Sequence, residues 1–387
     1  MLTRSTRLLL NAGHALDHMF LLIFATAVTP IAMEFGVQRW EDLMPYSVAA
    51  FFFFGIGALP AGRLGDLWGR RPMMIVFFIG LGASAIAVSL ARSPLEIALG
   101  LGLLGCFAAI YHPVGIPMLL QGAQRPGWTI GVNGLCGNLG VAAAAVVTGL
   151  FVKYAGWRAA FLVPGLVCIA LGLLFAWVSP RETSAPAARK ASASTVPVSA
   201  MTRILLIMTL AATSSGLLFN FATSSNYELL SERLIAITRD PARLGLLLAV
   251  VYAAASLAQL VVGYLIDRYP LKQLYLCLVS LQIVFLGVAS ALDGWGFFAL
   301  QLLFMATIFG AVPFTDAMIV RYVDDRMRSR ISGMRLAVSL GASSLAVWLV
   351  GPVVKQAGFV TLIWVMVAAS VVTWLVVSQL PATRQSA

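Results

Sequence analysis

The apolar residues of this chain fall into twelve runs of about 20, the length a helix needs to cross a ~30 Å hydrocarbon core. They cover residues 11–33, 44–64, 73–91, 95–117, 127–152 and 157–178, then 204–225, 244–266, 271–291, 294–319, 331–354 and 359–380. In lipid, backbone N–H and C=O groups have no water to pair with, so such runs satisfy themselves as helices. Little of the 387 residues remains for connections, and no loop is long enough to hold a folded domain. Of the residues, 60% are hydrophobic and 11% charged, where a soluble domain has about 25% charged. A soluble enzyme, a disordered chain and a secreted disulfide module are excluded. Cys106, Cys136, Cys168 and Cys277 each lie in an apolar run and read as small packing residues. The sequence has no G-x-x-x-x-G-K loop to cradle a nucleotide phosphate, so ATP is not the expected engine.

An even number of spans puts both chain ends on one face, and the basic residues say which face that is. Eighteen of the 26 Lys and Arg fall in segments on the side of the chain ends. Basic residues gather in the cytoplasm, so both termini are expected there, in an inner (plasma) membrane. The net charge of +11 is thus a membrane-surface feature and implies no nucleic-acid partner; the expected partners are the lipid bilayer and a small-molecule substrate, around a monomer. Arg4, Arg7 and Ala25-Thr26-Ala27 imitate a cleavable leader. Asn11, His14, Asp17 and His18 interrupt its apolar part, so the segment is expected to stay as the first span. Residues 180–202 are rich in Ala, Ser, Pro and basic side chains. They read as a tether between an N-terminal six-helix bundle (1–179) and a C-terminal one (203–387).

The two halves carry matching punctuation. Gly62-Arg63-Leu64-Gly65-Asp66-Leu67-Trp68-Gly69-Arg70-Arg71 follows the second run, and Gly263-Tyr264-Leu265-Ile266-Asp267-Arg268 follows the eighth. Gly62 and Gly263, Leu64 and Leu265, Asp66 and Asp267 are each separated by 201 positions. Both copies face the same side, as in parallel repeats. Gly62 allows close helix approach, Gly65 and Gly69 supply a permissive turn, Asp66 offers an acceptor, and Arg70 and Arg71 would anchor the rim to anionic lipid.

This string resembles the signature loop of the major facilitator superfamily, and twelve spans in two halves extend the likeness over the whole chain. The resemblance implies an all-α membrane protein whose twelve transmembrane helices form two pseudo-symmetric six-helix bundles working by alternating access. It also implies a conformational latch made by Gly62, Asp66, Gly69, Arg70 and Arg71 with Asp267 in the second copy. Helices 1, 4, 7 and 10 would line a central cavity. Tyr111-His112-Pro113 and Gly137-Asn138-Leu139-Gly140 are similar to strings of the fosmidomycin-resistance branch of drug exporters. The exporter pattern of helix 5 departs at Ala144-Ala145, which removes its proline kink.

Ionisable groups inside hydrocarbon are costly, and each is a functional candidate by default. His14, Asp17 and His18 sit three and four apart on the first span, so they share a face; Tyr111 and His112 lie on the fourth, Asn220 on the seventh and Asp316 on the tenth. The reading is a proton-coupled secondary transporter. Asp17 would exchange the proton, His112 or His14 would share it, and a proton gradient would replace any cofactor. Metabolite or drug efflux is the expected task. No Lys or Arg lies near the middle of a span, which suits a neutral, lipophilic or modestly charged solute better than a sugar phosphate. Two alternatives stay open: an importer of a metabolite or a transition metal such as copper, bound by His14, His18 and His112, and a transport-inactive membrane sensor.

Overall fold

The structure is a computed structural model that describes residues 2–121, 124, 126–180, 198–322 and 325–380. Among the described residues it holds helices with short 3-10 and π turns and no strand. The helices are α1 (Arg4–Glu34), α2 (Val48–Trp68), α3 (Arg70–Ser89), α4 (Pro94–Leu120), α5 (Pro126–Tyr154), α6 (Trp157–Val178), α7 (Val198–Arg233), α8 (Pro241–Ile266) and α9 (Leu271–Ala289). Then come α10 (294–322), whose two pieces meet at Ala311, α11 (325–357) and α12 (359–378). Eleven continuous stretches are long and apolar enough to cross a membrane. The last of these is two spans, because Gly358 breaks it with φ 76 and ψ 174.

Local chemistry sets the helix starts. Thr3 caps α1 by accepting from the Thr6 N–H at 3.1 Å. Ser93 caps α4 with Pro94 in the first turn, and Asp240 caps α8 by accepting from Ala242 and Arg243 ahead of Pro241. A side-chain acceptor before a proline satisfies end N–H groups that have no partner in the helix. Two boundaries differ from the apolar runs. The first helix begins at Arg4, seven residues earlier, because Thr3 supplies a cap; α2 begins at Val48, after 3-10 turns at Trp40–Asp42 and Met44–Ser47. The seventh helix starts at Val198, inside the stretch read as a tether; residues 181–197 of that tether lie outside the described residues.

The repeat seen in the sequence returns as hydrogen bonds. Arg71 donates to the Ser179 carbonyl at 3.0 Å, and Lys272 donates to the Leu380 carbonyl at 2.6 Å, both pairs offset by 201 positions. In each half a cation after the second helix therefore ties down the carbonyl end of the sixth. Arg70 likewise donates to the Pro117 carbonyl, at 3.1 Å. Both arginines thus bond to helix ends of their own half, a role that the sequence alone did not assign to them. Sharp turns repeat too, since Gly156 (φ 82, ψ 165) and Gly358 occupy a region closed to residues with a Cβ. In the signature loop only Gly69 is at positive φ. Gly65 is helical, and its missing Cβ admits Val114 instead.

Packing between helices is close where glycine permits it. A Cβ built on Gly140 of α5 would lie 2.0 Å from the Ala15 carbonyl oxygen of α1, and one on Gly105 of α4 would lie 2.1 Å from that of Ala50 of α2. In a membrane such van der Waals fit replaces the hydrophobic drive that lipid cannot supply. The outward side chains, among them Leu99, Leu173, Trp177, Leu257 and Trp364, are large, apolar and exposed, a surface that hydrocarbon solvates.

We call the face bearing the chain ends basal and the opposite face distal. The halves meet at the distal face. Lys153 of α5 pairs with Asp240, and Lys355 of α11 with Asp42. Thr29 of α1 donates to Glu228 of α7 at 2.7 Å, and Trp40 stacks on Phe359 at 6.0 Å. Gly149 and Gly245 let α5 and α8 touch: a Cβ on Gly245 would meet the Ala145 oxygen at 2.4 Å. Deeper, Asn138 still reaches Gln259 at 2.7 Å. Toward the basal face the two helices have room, with no heavy atom of the described residues within 4 Å of a Cβ on Gly131, Gly134 or Gly263. The Lys153 ammonium bonded to Asp240 holds that carboxyl below its ordinary range, so this clasp stands at neutral pH and is lost only as pH falls into the acid range.

Two outcomes follow from the glycines. Gly140→Ala should lower stability by about 1–3 kcal/mol through overpacking, whereas Gly131→Ala should be neutral or stabilising by up to about 1 kcal/mol; thermal unfolding in detergent reads both, and equal midpoints would contradict the packing. Gly245→Ala should force the distal ends apart. Spin labels at Ala155 and Arg239 would then report a longer distance than in the wild type, and an unchanged distance would refute the contact.

Candidate functional site

A π turn at Tyr111–Gly115 interrupts α4. Pro113 lacks an N–H and cannot continue the regular ladder, so the backbone widens by one residue there. The side chains of both Tyr111 and His112 thereby meet α1. The Tyr111 hydroxyl donates to the Leu10 carbonyl at 2.8 Å, while His112 Nε2 stands 3.8 Å from Asp17 Oδ2.

The opposing wall is α5. Its Gly137 leaves room for the imidazole of His14, whose Nε2 would lie 2.8 Å from a Cβ at that position. One turn earlier, Asn133 binds twice over. Its side-chain amide donates to the Tyr111 hydroxyl at 2.7 Å and to Asn11 Oδ1 at 2.9 Å. Its backbone carbonyl accepts from His14 Nδ1 at 2.7 Å. A carbonyl can only accept, so His14 carries its proton on Nδ1 and turns a lone pair out at Nε2. His18 Nε2 lies 3.1 Å from that atom and donates to it. The His14 ring stacks on Tyr111 at 4.6 Å with 10° between planes. His112 meets it edge-on at 5.1 Å and also touches Phe54 of α2 at 5.8 Å.

Asp17 stands apart from this web. It is fully buried, and neither carboxylate oxygen has a hydrogen-bond partner. A buried carboxyl without donors is costly to ionise unless a cation or a proton compensates it. Thirteen residues into α1, Asp17 lies about 20 Å along a helix of about 46 Å. Its full burial is the setting that the reading of Asp17 as a costly ionisable group inside the bundle requires.

The structure gathers His14, Asp17, His18, Tyr111 and His112 into one cluster, all on the first half of the chain. Asn220 is elsewhere: it donates to the Gly216 carbonyl and to Ser343 of α11 at 2.8 Å, tying α7 to α11. The side chain of Asp316 lies outside the described residues. Asp66 and Asp267 are exposed at the basal ends of α2 and α8. Gly62 faces Pro113 at 3.3 Å from where its Cβ would be. Asn133 was missed by sequence reasoning, although an amide four residues before Gly137 in an apolar helix was the signal. One ring nitrogen from each of His14, His18 and His112 lies within 4.8 Å of the others.

Residues 10–234 match the Major Facilitator Superfamily profile. Two curated relatives are a probable hexose phosphate transport protein of Chlamydia pneumoniae, 30% identical over 154 residues, and the tetracenomycin C resistance and export protein of Streptomyces glaucescens, 31% identical over 126 residues. These matches cover 39% and 31% of this chain and 33% and 23% of the relatives, so the chain spans a third or less of their length. Among solved structures, a D-xylose–proton symporter superposes with a TM-score of 0.78 over 98% of both chains at 15% identity. That likeness carries the fold from end to end, and family and neighbours are transporters rather than enzymes. With more than half of its length inside the family profile and its helices in the same arrangement, this multi-pass membrane protein belongs to the Major Facilitator Superfamily.

Proposed function

We propose that the protein is a proton-coupled secondary transporter that moves a small organic solute outward by alternating access. The observation that carries the reading is Asp17: a buried carboxyl with no hydrogen-bond donor, 3.8 Å from His112. Such a group is stable as the neutral acid or as a carboxylate beside an imidazolium, and the two forms differ by one proton passed over a short gap. A bare Asp17 carboxylate resists enclosure by the bundle, at a cost of roughly several kcal/mol. The halves therefore rock freely when a proton or an imidazolium compensates it. Proton occupancy thus governs the conformational step, which is the requirement for coupling.

With both chain ends in the cytoplasm, as the basic residues predict, the distal-closed arrangement is the inward-open member of the cycle. Its clasps are Lys153–Asp240, Lys355–Asp42 and Thr29–Glu228, and these would release when the outer face opens. Solute class follows from what surrounds the cluster. Phe54, Tyr111 and three imidazoles offer aromatic faces and hydrogen bonds, and among the described residues no Lys or Arg is placed there to hold a phosphate. A neutral or weakly charged aromatic metabolite or drug fits better than a hexose phosphate. The resistance and export role in the name of the Streptomyces glaucescens relative agrees with the outward direction.

Growth or accumulation assays with a panel of neutral aromatic compounds would identify a solute, to be measured next in proteoliposomes under an imposed pH gradient. Asp17→Asn should abolish gradient-driven accumulation, a loss of at least about tenfold, while solute counterflow across the same vesicles persists because the neutral amide still lets the halves rock. Gradient-driven transport by Asp17→Asn at the wild-type rate would refute the reading.

A further inference from the structure

We infer that His14, His18 and His112, with the Asp17 carboxyl beside His112, form a binding site for a divalent transition-metal ion. The inference adds a ligand to the site proposed for proton coupling and stands on its own geometry. Bonds of about 2.0–2.1 Å to a tetrahedral ion place its ligand atoms about 3.3 Å apart. His14 Nε2 and His18 Nε2 are 3.1 Å apart, already at the spacing of two ligands on one ion. All three rings offer a nitrogen within 4.8 Å of the others, so His112 closes the set by moving inward about 1.5 Å, a side-chain rotation. Its side chain is 20% exposed, so it is not locked in a close-packed core.

Orientation favours the same conclusion. The proton on His14 Nδ1 is held by the Asn133 carbonyl at 2.7 Å, the outer partner that fixes a metal-binding imidazole with its other nitrogen presented. Tyr111 stacked on one side and the space left by Gly137 hold that ring in place. Asp17 contributes the negative charge and two oxygens without hydrogen bonds. Three imidazoles and one carboxylate suit Zn²⁺, Co²⁺ or Cu²⁺, whereas Mg²⁺ and Ca²⁺ require mostly oxygen. On binding, His18 moves its proton from Nε2 to Nδ1 and ligates through Nε2.

The test uses the full chain without a polyhistidine tag, stripped with chelator in detergent and titrated with Co²⁺. One equivalent should bind, with the intense visible d–d bands of tetrahedral Co²⁺, and Zn²⁺ should displace it. His18→Gln and His112→Gln should each weaken binding by about 100-fold, with thermal unfolding confirming that both variants are folded. Absent d–d bands in the wild type, or a titration that both folded variants leave unchanged, would overturn the site. That failure would leave proton coupling standing. Conversely, a wild-type rate in Asp17→Asn vesicles would remove the coupling and leave the Co²⁺ spectrum intact.

Discussion

The close approach of α1 to α5 holds this molecule's chemistry together. Gly140 lets α5 press against the Ala15 carbonyl, and one turn away Gly137 opens the space that the His14 ring fills. With side chains at those two positions the helices would part by a few ångströms. The Asn133 carbonyl could then no longer hold His14, and the amide of Asn133 could no longer span Tyr111 and Asn11. Because lipid gives no hydrophobic reason for helices to adhere, such contacts depend on fit and on buried hydrogen bonds, each worth about 0.6 kcal/mol in membrane proteins. The cluster is therefore a consequence of packing: the rings are where they are because two glycines let the backbones meet.

The two halves share a frame and differ in content. Arg71 on Ser179 repeats as Lys272 on Leu380, and the break at Gly156 repeats at Gly358. These serve the frame, capping helix ends and turning the chain. At the same offset, the positions of His14 and Asp17 are held by Ser215 and Leu218. Ser215 bonds to the Tyr275 hydroxyl at 2.9 Å and Leu218 is buried in the core. At these two positions the second half thus keeps the rods and replaces the titratable side chains with packing. Asn226, Gln301 and Tyr252 do form a buried polar set there, but none of them titrates near neutral pH.

Much of the frame was legible in the sequence because it is written in one-dimensional terms: run length, parity of spans, and the recurrence of Gly62 through Asp66 at Gly263 through Asp267. The candidate groups on α1 were legible for the same reason, since i, i+3 and i+4 spacing fixes a shared face. Two things were not. Asn133 lies on a third helix, and only tertiary approach shows that its carbonyl meets His14. Arg70 and Arg71 looked like lipid anchors because composition cannot distinguish a cation facing headgroups from one facing the carbonyl end of a neighbouring helix.

One helix joins the buried cluster to the distal seam. His14, Asp17 and His18 lie on α1, and so does Thr29, which donates to Glu228 of the other half. Twelve residues separate Asp17 from Thr29, about 18 Å of helix. The intervening residues from Met19 to Val28 are buried without exception, so that stretch is held as a unit by its neighbours. A rotation or tilt of α1 that accommodates a change of charge at Asp17 must therefore displace Thr29 as well. Glu228 would lose the donor that satisfies it, and a buried carboxyl that loses its donor becomes costly. In the proposed cycle, proton state at the cluster and closure at the distal face would be linked through this single element of α1. Pro30, the only proline inside α1, falls just beyond Thr29, where the ladder can yield without breaking that link.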